Sequence, residues 1–168
     1  MVRVHRILVA TDFGEASAAA LEYARTIAAS FGATMQILHV TEDLALALTA
    51  GGEDSAGLAL ELQEDVERSA RQQTEALLTD HDRRSLHATA AAITSERPAA
   101  AIVHYAQANR IDLIVMGMHG RGPLGRAAMG SVAERVVRTA RCPVLTVHAV
   151  APPRATGDRA ATGVAEVH

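Results

Sequence analysis

The apolar positions of this chain fall into short unbroken runs, separated by longer stretches with helical spacing. Ile7-Leu8-Val9-Ala10 does not alternate and stops at Thr11-Asp12, which predicts a strand buried on both faces. From Glu15 to Ser30, Ala20, Leu21, Ala24, Ile27 and Ala28 share one stripe and predict a helix, with Gly32 at its stop. Met35–Val40 is a second strand. Residues 41–57 break the rhythm: Thr49-Ala50-Gly51-Gly52-Glu53-Asp54-Ser55 reads as a mobile loop, with a helical turn through Leu44–Leu48. A long polar helix follows over Leu58–Leu78, with Leu62, Val66, Ala70 and Leu77 facing inward and a solvated charged face. Leu86–Ile93 is an Ala-rich strand, and Pro98 opens a helix to Ala108 at the position where proline costs nothing. Asp112–Met116 is the fourth strand, Gly117–Gly130 a glycine-studded loop, Ser131–Ala140 a helix and Val144–His148 the fifth strand. Beyond Ala149 there is no periodicity, so residues 1–149 form the domain and 150–168 a disordered tail.

Five strands alternating with four helices predict an α/β fold: an open three-layer α/β/α sheet with mainly parallel strands. Ligands of such sheets bind outside the carboxyl ends of the strands, where the strand order reverses. That singles out Asp12, Val40 and the loop after Met116.

Composition narrows the chemistry. With two Phe, two Tyr and no Trp, the core has to be built from Val, Leu, Ile and the chain's 35 alanines. All 16 basic residues are arginine. The absence of lysine excludes a Walker A loop and every Schiff-base mechanism. A formal net charge of −3 leaves no electrostatic footprint for DNA or RNA. Cys142 is the single cysteine, which excludes an intrachain disulfide and a cysteine-cluster metal site, and it reads as a small buried hydrophobe. The eight histidines, His39, His119 and His148 among them, show no metal spacing. No apolar run reaches membrane-spanning length and Met1–Arg6 does not begin a signal peptide, so the expectation is a cytoplasmic protein that engages neither membrane nor nucleic acid.

The loop after the fourth strand carries the candidate chemistry. Five glycines lie within the fourteen residues from Gly117 to Gly130, a conformational cost tolerated where φ must be positive or a ligand must approach the backbone. Exposed N–H groups in such a loop make an anion site, and the helix beginning at Ser131 aims its positive end at the same place. Ser131 adds a hydroxyl, while Arg121 and Arg126 offer bidentate charge or are simply exposed. Gly120-Arg121-Gly122-Pro123-Leu124-Gly125 formally matches the dinucleotide fingerprint, but it follows the wrong strand and no acid ends the next one. Asp12, His119 and Ser131 could be grouped as a hydrolase triad, yet Ser131 lacks the G-x-S-x-G elbow. Ala10-Thr11-Asp12-Phe13-Gly14-Glu15 is not the Ser-Gly-Gly-x-Asp-Ser loop of related pyrophosphatases. Asp12 taken alone reads as a cap of the first helix, and only the loop opposite turns it into a site residue.

Gly117-x-x-Gly120, nine residues, then Gly130-Ser131 resembles the G-2x-G-9x-G-[S/T] nucleotide loop of the universal stress protein family. Asp12, Val40, the run Gly130–Arg138 and Cys142-Pro143-Val144-Leu145-Thr146-Val147 extend the likeness to residues 3–149. The resemblance implies a Rossmann-like strand order 3-2-1-4-5 and an ATP site, with Mg²⁺, made by Ala10, Thr11, Asp12, Val40, Met116, Gly117, Gly120, Arg121, Gly130, Ser131 and Val132. Asp12 would contact the nucleoside, Val40 the adenine, Gly117 and Gly120 the ribose and phosphates, and Gly130, Ser131 and Val132 the phosphates. One departure is Gly14, where the family often has serine. The implied protein is an ATP-binding stress-response sensor or binding module, a homodimer through Val144–His148, with no dedicated catalytic residue or protein metal ligand. The alternatives are a weak ATPase or autophosphorylating phosphotransferase, and a nucleotide-free interaction dimer.

Overall fold

The computed structural model describes residues 3–43, 55–118 and 130–148. Strand β1 (Arg6–Thr11) is central, with Ile7, Leu8 and Val9 fully buried, as its unalternating sequence requires. It pairs in parallel with β2 (Thr34–Thr41) on one side and β4 (Leu113–Gly117) on the other, so that Ala10 lies between Leu38 and Met116. β3 (Thr89–Thr94) joins β2 and β5 (Val144–Val147) joins β4, both parallel, giving the order β3-β2-β1-β4-β5. Strand order reverses between β1 and β4, the place where a crevice is expected.

Two apolar layers cover the sheet. On one face α1 (Glu15–Phe31) lays Ala16, Ala20, Ala24 and Ala28, four residues apart, against the strands, and α2 (Ser55–Ala76) covers β2 and β3. On the other face α4 (Pro98–Ala108) and α5 (Ser131–Thr139) bury Ile102, Val103, Ala106, Ala133 and Val136 against Leu8, Leu38, Ile114 and Met116. Gly32 ends α1 at φ 64°, the left-handed stop expected from its place after the helix.

The expected helix Leu58–Leu78 and strand Leu86–Ile93 both need correction. α2 ends at Ala76, and a fifth helix among the described residues, α3 (Asp80–Ser85), follows it. Thr79 and Asp82 form a capping box: Asp82 N–H donates to Thr79 Oγ1 at 3.1 Å, and Thr79 N–H to Asp82 Oδ2 at 2.8 Å. The buried Asp82 carboxylate also accepts from Arg25 of α1, at 3.0 Å from Nε and 2.8 Å from Nη2. Leu86 then caps α3 and His87 turns left-handed at φ 45°, so β3 starts only at Thr89.

The inward face of α2 also differs from expectation. Ala70 is buried as expected, but Leu62 is exposed and the polar Gln63 and Thr74 are buried. The upper part of that face meets polar strand ends: Gln63 Nε2 and Thr94 Oγ1 both donate to Glu67 Oε1, at 3.1 and 2.7 Å, and Thr94 shares a hydrogen bond with Thr41. The Thr94 and Gln63 hydrogen bonds hold the Glu67 carboxyl below its usual range. Among the described residues no helix is long and apolar enough to cross a membrane. The expected turn at Leu44–Leu48 and the tail 150–168 lie outside the described residues.

Candidate functional site

At the carboxyl end of β1 the chain makes a tight, hydroxyl-tied turn into α1. Thr11 Oγ1 accepts the Phe13 N–H at 3.0 Å and donates to Ser17 Oγ at 3.1 Å, while Ser17 donates on to the Gly14 carbonyl at 2.9 Å. Asp12 Oδ1 accepts the Gly14 N–H at 2.9 Å, and among the described residues its second oxygen has no partner. Gly14, not Asp12, is the N-cap of α1, in extended conformation with no side-chain cap. A Cβ at Gly14 would sit 3.0 Å from Asp12 Oδ1, so the glycine leaves room for this carboxylate to fold back. Phe13 is left-handed at φ 61°, and its ring lies 4.3 Å from the His39 ring. His39 Nδ1 is 2.8 Å from the Thr11 carbonyl, which makes it the protonated ring nitrogen.

Gly117 closes β4 beneath the first turn of α1. A Cβ there would lie 2.8 Å from Ala16 C, Ala16 Cβ and Ser17 N. Its bare Cα is required by helix–sheet packing, a reason that a reading of the loop as a ligand cradle does not supply. From there Met118 N–H donates to the Val147 carbonyl at 2.8 Å, and Gly130 N–H to the Met118 carbonyl at 2.6 Å. These two bonds pin the start of α5 beside the β4 end. Gly130 is the N-cap of α5 at φ −59°, so no positive φ explains this glycine. His119, Gly120, Arg121 and Arg126 lie outside the described residues.

Between these strand ends, α4 and the α5 N-terminus is a cavity of about 220 Å³. Ala10, Thr11, Asp12, Val40, Met116, Gly117, Gly130, Ser131 and Val132, every predicted site residue that the structure describes, line it together. Leu38, His39, Glu42, Pro98, Ile102, Met118 and Ala133 complete the lining and are not among the predicted site residues. The cavity is graded along the sheet. The β2 end is apolar, with Leu38, Val40, Pro98 and Ile102, and has Glu42 at its exposed rim. Asp12 stands at the middle strand, and the β4 side ends on the first turn of α5. The N–H groups of that turn have no intrahelical acceptor and carry the positive end of the helix dipole. The described lining contains no arginine, so α5 supplies its positive potential, against the two carboxylates. Among the described residues no group of three or more His, Cys, Asp or Glu side chains is placed to hold a metal ion. Cys142 is half-buried at the amino end of β5, and burial pushes its thiol up, away from reactivity.

Residues 3–148 match the universal stress protein family. The chain belongs to that family. A universal stress protein of Methanocaldococcus jannaschii is 32% identical over 142 residues, covering 84% of this chain and 81% of its own. Among solved structures, universal stress protein UspA from Lactobacillus plantarum superposes with a TM-score of 0.67 at 28% identity, covering 88% of this chain and 99% of its own. A universal stress protein in complex with cAMP shares the fold, with a TM-score of 0.56 at 24% identity over 89% of this chain and all of its own. The strand order β3-β2-β1-β4-β5 is the Rossmann-like order expected of a universal stress protein.

Proposed function

We propose that this universal stress protein binds ATP, with Mg²⁺, and acts as a nucleotide-dependent sensor or binding module in the stress response. The observation that carries the reading is the gradient of the cavity: an apolar slot, a half-free carboxylate and a helix N-terminus follow one another across β2, β1 and β4. Adenine lies against Val40 and Leu38, Asp12 accepts hydrogen bonds from the ribose, and phosphate oxygens meet the backbone N–H groups of Ser131 and Val132 and the Ser131 hydroxyl. Mg²⁺ offsets phosphate charge that no lysine is present to balance, and Gly120 and Arg121 complete the phosphate cradle. The cAMP complex of a family member supports an adenine nucleotide as the ligand class. Among the described residues β5 is a sheet edge whose unpaired ladder suits antiparallel pairing with a second copy, and we assign the homodimer interface to it.

Calorimetric titration of nucleotide-stripped protein with MgATP tests the site. Asp12→Ala removes a charged hydrogen bond of roughly 1–3 kcal/mol and is expected to weaken affinity about ten- to a hundredfold. Gly130→Val fits the observed φ but places a branched side chain at the phosphate end, and it is expected to abolish binding. No binding by wild type up to millimolar MgATP, or wild-type affinity in Gly130→Val, refutes the assignment.

A further inference from the structure

Phe13 is the one bulky apolar residue with positive φ among the described residues, and it stands directly after the aspartate of the site. Strain of this kind persists only where the surroundings over-determine it, and it concentrates where a functional group must be held. The surroundings here are specific. The Phe13 N–H is taken by Thr11 Oγ1 at 3.0 Å, and the ring rests on His39 at 4.3 Å with an interplanar angle of 34°. The His39 ring is itself fixed by its 2.8 Å hydrogen bond to the Thr11 carbonyl. Strand alternation puts Leu38 and Val40 on the cavity side of β2 and the His39 ring on the opposite face, with α1 and α2. There Phe13 and His39 border a second cavity of about 360 Å³, walled by Val66, Ser69, Ala70 and Gln73 of α2. Asp12 and His39 both border the two cavities, His39 lying between the first cavity's wall and the second. The left-handed step at Phe13 is what returns the Gly14 N–H to Asp12 Oδ1, fixing one carboxylate oxygen and leaving the other for a ligand.

Resting on the nucleotide reading above, we propose that Phe13 is a positioning residue for Asp12: its ring, seated on His39, holds the Thr11–Gly14 turn left-handed and so presents the carboxylate to the ribose. Loss of the ring lets the turn relax, and the Asp12 contact is lost without loss of the fold. The test is a double-mutant cycle in the full chain, stripped of nucleotide and titrated with MgATP, with thermal unfolding followed in parallel. Phe13→Gly relieves the φ strain and is expected to fold, yet to bind about tenfold more weakly than wild type, a coupling typical of residues in contact. In an Asp12→Ala background the same substitution is expected to change affinity less than twofold. Phe13→Tyr, which keeps the ring, is expected to restore wild-type affinity. The preference for MgATP over Mg-dATP is expected to fall in Phe13→Gly as it does in Asp12→Ala, because both lose the ribose contact. Equal weakening in both backgrounds, or wild-type affinity in Phe13→Gly, overturns the positioning role while leaving the nucleotide site standing. Failure of wild type to bind MgATP overturns the nucleotide reading itself, and this role with it.

Discussion

Gly117→Ala asks whether the first glycine of the loop serves packing or ligand. The added Cβ would lie 2.8 Å from Ala16 C, Ala16 Cβ and Ser17 N, where ordinary contacts fall at 3.4–4 Å. Two of the three atoms are backbone in the first turn of α1, so no rotamer change relieves the overlap and the helix itself has to move. Forcing a methyl group into a packed interior costs roughly 1–3 kcal/mol. Against this stands a gain of about 0.4–1 kcal/mol, because alanine has fewer unfolded conformations than glycine and Gly117 does not use a positive φ. The expected net destabilisation is therefore about 1–2 kcal/mol. Urea denaturation followed by far-UV circular dichroism reads it as a midpoint lowered by about 0.5–1 M at unchanged slope. Because α1 starts at the Asp12 turn, nucleotide affinity is expected to fall in step with stability. A Gly117→Ala protein as stable as wild type refutes the packing argument, and one that loses affinity alone makes the glycine a ligand-contact position.

The remaining predictions concern the frame around the site. Asp82→Ala strips the buried partner from Arg25 and half of the α3 capping box, and is expected to cost about 3–5 kcal/mol in chemical denaturation. A loss below 1 kcal/mol would contradict that. Burial pushes the Asp82 carboxyl up, but the Arg25 hydrogen bonds and the Thr79 donors outweigh it and hold it below the usual range. A depressed folded value means stability that is complete above the unfolded carboxyl pKa, about 3.9, and drains away as pH falls through the folded one. A pH series of urea midpoints in wild type is thus expected to drop below about pH 4, with the drop reduced in Asp82→Ala. At β5, light scattering is expected to find a dimer at micromolar concentration, and Thr146→Pro, which deletes a ladder donor, to shift it toward monomer; a wild-type monomer ends the idea.

The strands were legible because parallel strands covered on both faces have an unmistakable pattern, and Ile7–Ala10 and Asp112–Met116 carry it. The predicted site residues within the described segments converge because each sits at the carboxyl end of a central strand or at the start of α5. What escaped has a physical reason in each case. The Thr79-x-x-Asp82 box was written in the sequence, but the hydrophobic period of α2 runs straight into it, and the Arg25 partner lies 57 positions away. Leu62 points outward because the inner face of α2 meets the polar ends of β2 and β3 there, so amphipathicity misplaced that one position while Ala70 falls inside as expected. Pro98 and Ile102 enter the cavity from α4, an element whose own sequence carries only core signals. The role of Gly117 was hidden because a glycine that admits a helix and one that admits a ligand are spelled alike.

The cavity walls come from positions near 10, 40, 100, 116 and 131, spread over most of the domain. On the ribosome, therefore, β1, α1 and β2 emerge long before a pocket exists, and the first half of the chain has nothing with which to hold a ligand. Only when β4 has inserted beside β1 and α5 has docked does the cavity exist, after the loop-closure entropy of the whole domain has been met. A ligand arriving that late cannot guide the early steps of folding. It slows unfolding instead, and each saturating bound molecule stabilises the entire sheet by the logarithm of its excess over the dissociation constant. Under the proposed nucleotide function, a copy that loses its ligand becomes, by that same free energy, a copy easier to unfold and degrade.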